Sequence, residues 1–392
     1  MEDVRTQVAI VGAGPAGLLL GHLLQRDGVA NVVVERRSQT YVEQRVRAGV
    51  IEYGVANFLE SVGAGERLRR EGLVHHGVEF RFDHQTNRIA LSEFADGKTI
   101  TVYGQQELVK DLIALRARDA EAVRFDAEVV ALEDLTSETP VVRGHGPGGD
   151  FRITCDFVAG CDGSFGVATR SVPVAALRRH ERTYPFSWLG ILAEAAPTND
   201  ELIYARHDNG FALYSMRSPS ISRLYLGVAP TDTLEAWSDS RIWEELNVRL
   251  ATDAHPTVNE GPILERSITA MRSVVIEPMR FGRLLVAGDA AHIVPPTGAK
   301  GMNLALGDIR VLARALVAQL KEGDDRLLEA YSATCLERVW RAEEFSNYMT
   351  QMLHPSDDEF ENGVQHARLR QVVASREAAT VLARNYCDLN TL

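Results

Sequence analysis

The chain has 392 residues, 45% hydrophobic and 24% charged, which excludes a disordered or fibrous protein and predicts two or three domains. The 42 lysines and arginines against 54 aspartates and glutamates leave a net charge of −12, which argues against nucleic acid as a partner. The four cysteines lack CxxC spacing, no apolar run could cross a membrane, and no signal peptide pattern precedes the first strand, so we expect a cytoplasmic protein.

The chain opens with the pattern of a strand, a glycine-rich turn, a helix and a second strand. Residues 6–11 predict the first strand, Gly12-x-Gly14-x-x-Gly17 the turn, and residues 31–35 the second strand after a helix that ends near residue 26. Such a turn lets the backbone approach a pyrophosphate at a helix amino end, while Glu35 can accept ribose hydroxyls. The pattern therefore predicts a Rossmann-like unit that binds an adenine dinucleotide.

Two later strands each end in an aspartate beside a glycine. Asp162-Gly163 follows one strand-like run, and Gly288-Asp289 follows another. A carboxylate at the carboxyl end of a strand can hold polyol hydroxyls. The turn at residues 295–298 then opens a helix, whose amino end would place positive potential against a flavin ring.

The middle of the chain predicts a sheet, and its end predicts helices. Residues 183–230 alternate apolar and polar residues, which indicates a largely antiparallel sheet with one buried face. The glycine-rich stretch 144–150 predicts a hairpin loop, so only one dinucleotide-binding unit is expected. The predicted C-terminal helices are 304–320, 327–352 and 359–383.

Four donors on two neighbouring predicted strands suit a carboxylate ligand. Period-two spacing places Ser215 with Arg217 on one face, and Arg223 with Tyr225 on one face. The planar fork of Arg217 could hold a carboxylate through two hydrogen bonds. The alternative is a solvated strand face with ordinary ion pairs.

Together, the glycine turn and the two Asp/Gly pairs resemble the FAD-dependent aromatic hydroxylases, which are single-component flavoprotein monooxygenases. The stretches 45–49, 103–105, 210–213 and 292–303 are similar to members that act on 4-hydroxybenzoate, and the similarity runs over nearly the whole chain. The resemblance implies conversion of 4-hydroxybenzoate, NAD(P)H and O2 to 3,4-dihydroxybenzoate through a flavin C4a-hydroperoxide, in aromatic catabolism. It also implies non-covalent FAD and a homodimer, and no metal site is predicted.

The resemblance implies a mixed α/β (α+β) fold. A Rossmann-like FAD-binding domain would span residues 1–180, with some substrate-domain strands inserted around 73–105. A mainly antiparallel β substrate domain would span 181–275. Residues 276–392 would return to the FAD domain and end in a helical, interface-forming region.

The resemblance also assigns roles to individual residues. Ser215, Arg217 and Tyr225 would grip the substrate carboxylate, with Met216 beside them, and Arg223 would position the flavin. Tyr204 would donate to the substrate phenolate, Tyr386 and His75 would continue a proton route to solvent, and the Pro296 carbonyl would accept the substrate hydroxyl. The implied cofactor contacts are Gly12, Gly14, Ala16, Gly17, Glu35, Arg45, Val46, Arg47, Ala48, Gly49, Val50, Gln105, Asp162, Asp289, Met302 and Asn303.

The nicotinamide nucleotide is the least determined partner. Family members often carry His and Arg soon after the Asp-Gly pair, where this chain has Phe165 and Thr169, and Arg170 or Arg272 would compensate. Arg36, Arg37 and Tyr41 lie where the family sets its preference, and two arginines favour the 2′-phosphate of NADPH, with NADH as an alternative.

Other functions fit part of this pattern. A related hydroxylase could act on another aromatic acid, such as 3-hydroxybenzoate or 4-aminobenzoate. A non-catalytic carrier with a nucleotide-binding fold would purify colourless, and a plain flavin dehydrogenase would consume no O2.

Overall fold

The structure is a computed structural model that describes residues 2–47, 49–118 and 123–389. Over these residues the strands are β1 (Glu2–Arg5), β2 (Val8–Val11), β3 (Asn31–Val34), β4 (Val50–Glu52), β5 (Leu73–His75), β6 (Val78–Phe82), β7 (Gln85–Ile89), β8 (Ile100–Val102), β9 (Val123–Arg124), β10 (Glu128–Glu133), β11 (Val141–Gly146), β12 (Gly149–Thr154), β13 (Phe157–Gly160), β14 (Arg178–Ala193), β15 (Leu202–His207), β16 (Gly210–Ser218), β17 (Ile221–Val228), β18 (Ile263–Glu277), β19 (Arg280–Phe281), β20 (Leu284–Val286) and β21 (His292–Ile293). The α-helices are α1 (Pro15–Arg26), α2 (Gln39–Gln44), α3 (Tyr53–Ser61), α4 (Glu66–Glu71), α5 (Leu91–Phe94), α6 (Gln105–Arg118), α7 (Val167–Arg170), α8 (Asp239–Leu250), α9 (Gly301–Glu322), α10 (Arg326–Leu353), α11 (Glu359–Ala374) and α12 (Arg376–Asp388).

A mostly parallel sheet forms the centre of the dinucleotide-binding part. Its strand order is β19-β20-β13-β2-β3-β9, and β2 pairs in parallel with both β13 and β3. All four residues of β2 are buried, as expected for a parallel strand that is covered on both faces. The strand, turn and helix predicted at the start of the chain are confirmed, and the predicted strand boundaries differ by one or two residues.

An eight-stranded sheet, in the order β21-β18-β14-β17-β16-β15-β6-β7, forms the second large layer. Its pairs are antiparallel except for β15 with β6. One face packs against α8 through residues such as Trp243 and Leu246. The other face packs against the C-terminal helices, with Tyr204 and Leu213 in the same buried cluster as Met349 and Tyr386. Both faces are therefore buried, and the prediction of one buried face is wrong because helices cover the sheet on each side. The face toward the C-terminal helices positions the candidate substrate site.

Smaller sheets complete the fold. The stretch 144–150, predicted as a hairpin loop, forms the hairpin between β11 and β12 in the sheet β1-β12-β11-β10, but most of its residues belong to the two strands and only Pro147 and Gly148 form the turn. The strands of a three-stranded sheet, β4-β8-β5, lie along the chain between strands of the two larger sheets. Within the described part of the chain, no helix is both long and apolar enough to cross a membrane.

The helical end differs from the expectation in one respect. Helices α9 and α10 cover the predicted ranges 304–320 and 327–352, but the single helix predicted at 359–383 is wrong. Ser375 leaves helical geometry with φ −107° and ψ 124°, and its hydroxyl accepts a hydrogen bond from the Ala378 amide as the N-cap of α12. The break turns α12 so that Tyr386 reaches Tyr204.

Candidate active site

The glycine turn has the backbone geometry of a dinucleotide cradle. Gly12 has a φ of +103°, and a Cβ built on it would lie 2.4 Å from the Cys161 carbonyl oxygen. A Cβ on Gly17 would lie 1.9 Å from the Gly12 oxygen, so both positions require glycine. At Gly14, the N-cap of α1, none of the described residues comes within 4 Å of an added Cβ. The space beside Gly14 is therefore open to a ligand at the helix amino end.

Glu35 is held beside this turn by the backbone. Its Oε2 accepts a hydrogen bond from the Ala13 amide at 2.9 Å, and its Oε1 accepts one from the Arg37 amide at 2.8 Å. Each carboxylate oxygen keeps a further lone pair, so both can still accept ribose hydroxyls.

The Gly288-Asp289 turn lies next to the first helix. Gly288 has a φ of +61°, and its Cβ position is 3.6 Å from the Ala16 Cβ. The Gly288 amide donates to Oδ2 of the buried Asp308 at 3.1 Å, and that oxygen also bonds His292 Nε2 at 2.6 Å. Asp289 itself is exposed, so its carboxylate is accessible to a polyol. The two motifs, more than 250 residues apart in sequence, thus meet at one edge of the sheet.

Asp162 has a structural contact that sequence reasoning missed. Its Oδ2 accepts a hydrogen bond from the Ala168 amide at 2.9 Å and so caps α7. Burial raises the pKa of this carboxyl, while the hydrogen bond from Ala168 opposes the rise. A cofactor contact for Asp162 stays a prediction.

The flavin-side segment is tied together around Asn303. The Asn303 Nδ2 donates to the Val50 and Ala299 carbonyls, both at 2.9 Å, and its Oδ1 accepts from the Glu52 amide at 3.0 Å. These bonds hold the amino end of α9 against β4. The same segment includes Gly49, where a Cβ would lie 1.8 Å from the Tyr103 carbonyl oxygen. The other predicted contacts in this region are Arg45, Val46, Gln105 and Met302, whose ligand roles stay predictions, and Ala48, which lies outside the described residues.

Arg47 links the cofactor segment to the substrate side. Surrounding protein lowers the pKa of its guanidinium, neighbouring Arg45 lowers it further, and Asp289 and Tyr225 oppose the change. Arg47 therefore lies near Asp289 of the cofactor motif and near Tyr225 of the substrate strands. This placement suits a cation facing a pyrophosphate.

These residues fit FAD. The structure offers a glycine cradle with open space at a helix amino end, a backbone-held carboxylate for the ribose, and an exposed aspartate for the polyol chain. The amino end of α9, tied to β4, would face the flavin ring.

The predicted carboxylate donors meet on β16 and β17. Ser215 pairs directly opposite Arg223, and Leu213 opposite Tyr225, so Ser215, Arg223 and Tyr225 share one face. The register shifts between Met216 and Ser218, which makes Arg217 a bulge residue. Bulges re-aim side chains next to active sites, so strict alternation alone does not describe this end of β16.

Two guanidinium nitrogens face this site without a partner. Nη1 of Arg217 and Nη1 of Arg223 are both buried and have no hydrogen-bond partner among the described residues. Burial lowers the pKa of Arg217, Tyr225 opposes the change, and the positive charge of Arg223 adds to it. A buried cation with an unused N–H needs an anionic acceptor. Ser215 Oγ, which is buried, donates only a long 3.3 Å bond to the Met216 carbonyl.

Gly190 of β14 makes room for this arrangement, and sequence reasoning missed it. A Cβ at Gly190 would lie 2.8 Å from Arg223 Nη2 and 3.2 Å from the Tyr225 ring. The Arg223 guanidinium lies 5.2 Å from the centre of that ring. No local sequence signal distinguishes this glycine from others within strands, because its constraint comes from a neighbouring strand.

Tyr204 and Tyr386 form a buried phenol pair. Their hydroxyls are hydrogen bonded to each other, and the Tyr204 hydroxyl also contacts the Thr297 carbonyl at 3.1 Å. Burial raises the pKa of both phenols, so each stays protonated near neutral pH. The Pro296 carbonyl, one residue from Thr297, accepts the Ala299 amide at 2.9 Å. The predicted proximity of the two tyrosines is therefore present, and their roles stay predictions.

His75 is buried, but no direct hydrogen bond joins it to the phenol pair. Neither ring nitrogen has a partner among the described residues. Burial lowers the pKa of His75 to about 4, with Glu201 opposing and Arg217 adding to the shift. The imidazole is thus neutral at pH 7 and near enough to sense Arg217.

A buried ion pair beside the phenols was not singled out from the sequence. Lys300 Nζ lies 2.8 Å from Glu52 Oε1 and donates to the Tyr386 carbonyl at 3.0 Å. The same ammonium lies 5.6 Å from the centre of the Tyr386 ring. Lys300 therefore holds the end of α12 against the amino end of α9, while Glu52 offsets its positive charge.

The predicted nicotinamide nucleotide residues lie at the surface. Arg36, Arg37 and Tyr41 are exposed, and the Arg37 guanidinium lies 5.1 Å from the Tyr41 ring centre. The Arg272 guanidinium lies 4.9 Å from the ring of Phe165, which is 74% exposed. Their part in binding NADPH stays a prediction.

Comparisons with known proteins agree with this geometry. The FAD binding domain family matches residues 5–346. The chain is 45% identical over 391 residues to the p-hydroxybenzoate hydroxylase of Acinetobacter baylyi, covering 99% of this chain and 96% of that protein. It is 26% identical to the aklavinone 12-hydroxylase DnrF of Streptomyces peucetius, over 83% of this chain and 70% of that one.

Solved structures share the fold. The crystal structure of p-nitrophenol 4-monooxygenase PnpA from Pseudomonas putida superposes with a TM-score of 0.84 at 20% identity, covering 100% of this chain and 99% of that one. The mixed α/β fold with an FAD-binding unit and C-terminal helices is thereby confirmed. The sequence match over nearly the whole length and the cradle described above place this chain in the family of FAD-dependent aromatic hydroxylases, which are flavoprotein monooxygenases.

Proposed function

We propose that this enzyme hydroxylates 4-hydroxybenzoate at C3 to give 3,4-dihydroxybenzoate, as one step in the breakdown of aromatic compounds. The reaction consumes NADPH, a proton and O2; one oxygen atom enters the product and the other leaves as water. The carrying observation is the unpartnered, buried Nη1 of Arg217, whose guanidinium interacts with Tyr225. Tyr225 shares its sheet face with Tyr204 and Ser215. The 45% identity to a p-hydroxybenzoate hydroxylase supports the same substrate.

The carboxylate end of the substrate is held by Arg217, Ser215 and Tyr225. A carboxylate here would accept from the free Arg217 nitrogen and from the two hydroxyls, which satisfies groups that are costly to bury unpaired. Arg223, on the adjacent strand opposite Ser215, also has a free Nη1, and we assign this residue to positioning the flavin. The clamp therefore fixes the orientation of the aromatic ring.

The phenol end is served by Tyr204. Because burial raises the pKa of Tyr204, this phenol keeps its proton. The Tyr204 hydroxyl donates to the Thr297 carbonyl in the structure, and we propose that it turns to donate to the substrate oxygen when substrate binds. Lowering the pKa of the substrate phenol by ~2 units needs about 2.7 kcal/mol of preferential stabilisation of the phenolate. A hydrogen bond to a charged group contributes about 1.5–3 kcal/mol, so one such bond from Tyr204 is sufficient in magnitude.

The released proton passes along hydroxyl groups of the protein. Tyr386, which is hydrogen bonded to Tyr204, is the next group on this route. His75 would be a later member, and a water molecule would have to bridge the gap because no direct hydrogen bond joins His75 to the phenol pair. The Pro296 carbonyl receives the substrate hydroxyl before ionisation. When bound, FAD supplies the hydride-accepting and oxygen-activating chemistry, and the residues above bind the ring, orient it and control its proton.

The phosphate-bearing end of NADPH is assigned to the exposed residues Arg36, Arg37 and Tyr41, with Arg272 near the Phe165 side. Two exposed arginines favour the 2′-phosphate of NADPH over the hydroxyl of NADH. We also assign the enzyme to the cytoplasm and to a homodimer. Light scattering of the purified protein would test the dimer.

The decisive experiment follows O2 and NADPH consumption by the purified yellow protein with and without 4-hydroxybenzoate. We expect slow NADPH oxidation alone, a sharp rise with substrate, and 3,4-dihydroxybenzoate formed in step with O2 uptake. Faster product formation from 3-hydroxybenzoate or 4-aminobenzoate would favour a related hydroxylase. Acceptor reduction without O2 uptake would indicate a dehydrogenase, and a colourless protein a carrier.

A further inference from the structure

A separate cluster of basic side chains surrounds a cavity at the end of β15. The cavity has a volume of about 230 Å³, and it lies among the turn after β6, the end of β15, the end of α8 and α11. Arg206 lines it two residues beyond Tyr204, which is about 7 Å along a strand. None of the residues that line the cavity belongs to the substrate or cofactor site described above.

Two of the three arginines at this cavity are already neutralised. The Arg81 guanidinium bonds Glu79 at 3.0 Å, and it donates to the Leu250 carbonyl. The Arg249 guanidinium bonds Glu245 at 2.9 Å and donates to two backbone carbonyls. These two cations therefore serve mainly to join α8 to the sheet.

Arg206 differs from both. It is 3% exposed, and its hydrogen bonds go to neutral amide oxygens, Asn362 Oδ1 at 2.8 Å and Gln365 Oε1 at 3.4 Å. Its Nη1 is buried and has no hydrogen-bond partner among the described residues. Asp208 Oδ1 is 3.6 Å from that nitrogen, beyond hydrogen-bond range, and the Asp208 side chain is 95% exposed. Burial lowers the pKa of Arg206, with Asp208 opposing the change.

Three histidines add further donors to the same cavity: His84, His207 and His366. The rings of His84 and His207 lie edge to face with centres 6.1 Å apart. The other carboxylate at the cavity, Asp83, is engaged by Arg370 at 2.8 Å and contacts His366 at 3.3 Å. Asp83 is therefore not available as a counterion for Arg206.

We propose that this cavity binds a small oxyanion, either a phosphate or a carboxylate, with Arg206 as its charged ligand. Asp208 forms only a long, exposed ion pair with Arg206, so an oxyanion would accept from the free Arg206 nitrogen and bring a negative charge within hydrogen-bond distance. The volume equals that of several water molecules, which is enough for either group. The surrounding protein carries a net charge of −12, so a local cation is needed to collect an anion here.

The test is calorimetric titration of the FAD-loaded enzyme in chloride buffer with inorganic phosphate and, separately, with acetate. We expect binding of one of them, and Arg206→Gln should weaken it about tenfold or more. Asp208→Asn removes the competing exposed carboxylate and should tighten binding roughly twofold. Arg326→Gln is the matched control, because it removes the same charge from an exposed ion pair with Asp324 and should change nothing.

The two titrants distinguish the ligand classes. Tighter binding of phosphate identifies a doubly charged oxyanion, and tighter binding of acetate identifies a carboxylate. Absence of binding by both up to about 10 mM, or unchanged affinity in Arg206→Gln, overturns the proposal. If Arg206→Gln does not fold, Asp208→Asn decides, and unchanged affinity in that variant overturns the proposal as well.

Discussion

The FAD cradle and the substrate site are built from different parts of the chain. The cradle is backbone: Gly12 and Gly17, five residues apart, leave no room for a Cβ, and Glu35 is held by two amides. The substrate site is side chains from distant elements, and its phenol pair joins residues 182 positions apart. FAD binding at the cradle should therefore be lost when a side chain is added, whereas catalysis at the substrate site should be lost when a single polar group is removed.

The largest effect is expected in the cradle. Gly12→Ala forces a side chain into a φ of +103° and against the Cys161 carbonyl, which should cost about 3 kcal/mol or more in the free energy of unfolding. The variant should be purified without FAD. Urea unfolding and the ratio of flavin to protein absorbance measure both effects.

Two other glycines make this comparison sharper. The methyl group added by Gly14→Ala would contact none of the described residues, so the apoprotein should keep its stability. FAD affinity should fall, because the methyl group would occupy the space of the ligand. Gly363→Ala, inside α11 with equally open surroundings, should keep FAD affinity and raise the free energy of unfolding by up to about 1 kcal/mol. Equal FAD affinity in the Gly14 and Gly363 variants would show that Gly14 does not face the cofactor.

The next effect concerns His75 and pH. The folded protein holds this histidine neutral down to about pH 4, whereas the unfolded chain takes up a proton near pH 6.5. The free energy of unfolding therefore falls as pH falls from 6.5 to 4, by up to about 3 kcal/mol. His75→Gln should remove this contribution, so the free energy of unfolding should fall less steeply from pH 7 to pH 4 in the variant than in the wild type. His145→Gln, at an exposed position, is the control and should follow the wild type.

Arg217→Ala tests the carboxylate clamp. We expect binding of 4-hydroxybenzoate to weaken by at least about 2 kcal/mol, because a desolvated carboxylate loses its charged partner. The uncharged 4-hydroxybenzaldehyde should lose much less affinity, as measured by flavin fluorescence titration. Equal losses for both ligands would place Arg217 outside the carboxylate site.

The sequence predicts the cradle well because its constraints are local. A glycine triplet between a strand and a helix, followed by Glu35, already contains the conformations and spacing that the structure shows. The strands at 184–192, 201–205, 211–216 and 223–228 are likewise found, because alternation of apolar residues is a local pattern.

The substrate site was predictable only through the resemblance. A tyrosine in a strand is usually a core residue. The sequence around Tyr204 does not indicate that its hydroxyl will be hydrogen bonded to that of Tyr386. The Lys300–Glu52 pair and the space provided by Gly190 depend on contacts between distant elements. The break at Ser375 was missed because the polar residue lies within an otherwise continuous helical pattern.

The central claim is that the clamp binds the substrate while Tyr204 ionises it. The most direct measurement is a pH titration of bound 4-hydroxybenzoate, followed by phenolate absorbance, in the wild type, Tyr204→Phe and Tyr386→Phe. We expect Tyr204→Phe to change the dissociation constant little and to raise the pKa of the bound phenol by ~2 units, toward its free value, with NADPH oxidation yielding H2O2. Tyr386→Phe should show a smaller rise. A Tyr204→Phe enzyme that ionises and hydroxylates 4-hydroxybenzoate like the wild type would contradict the account and make Tyr204 a core residue only.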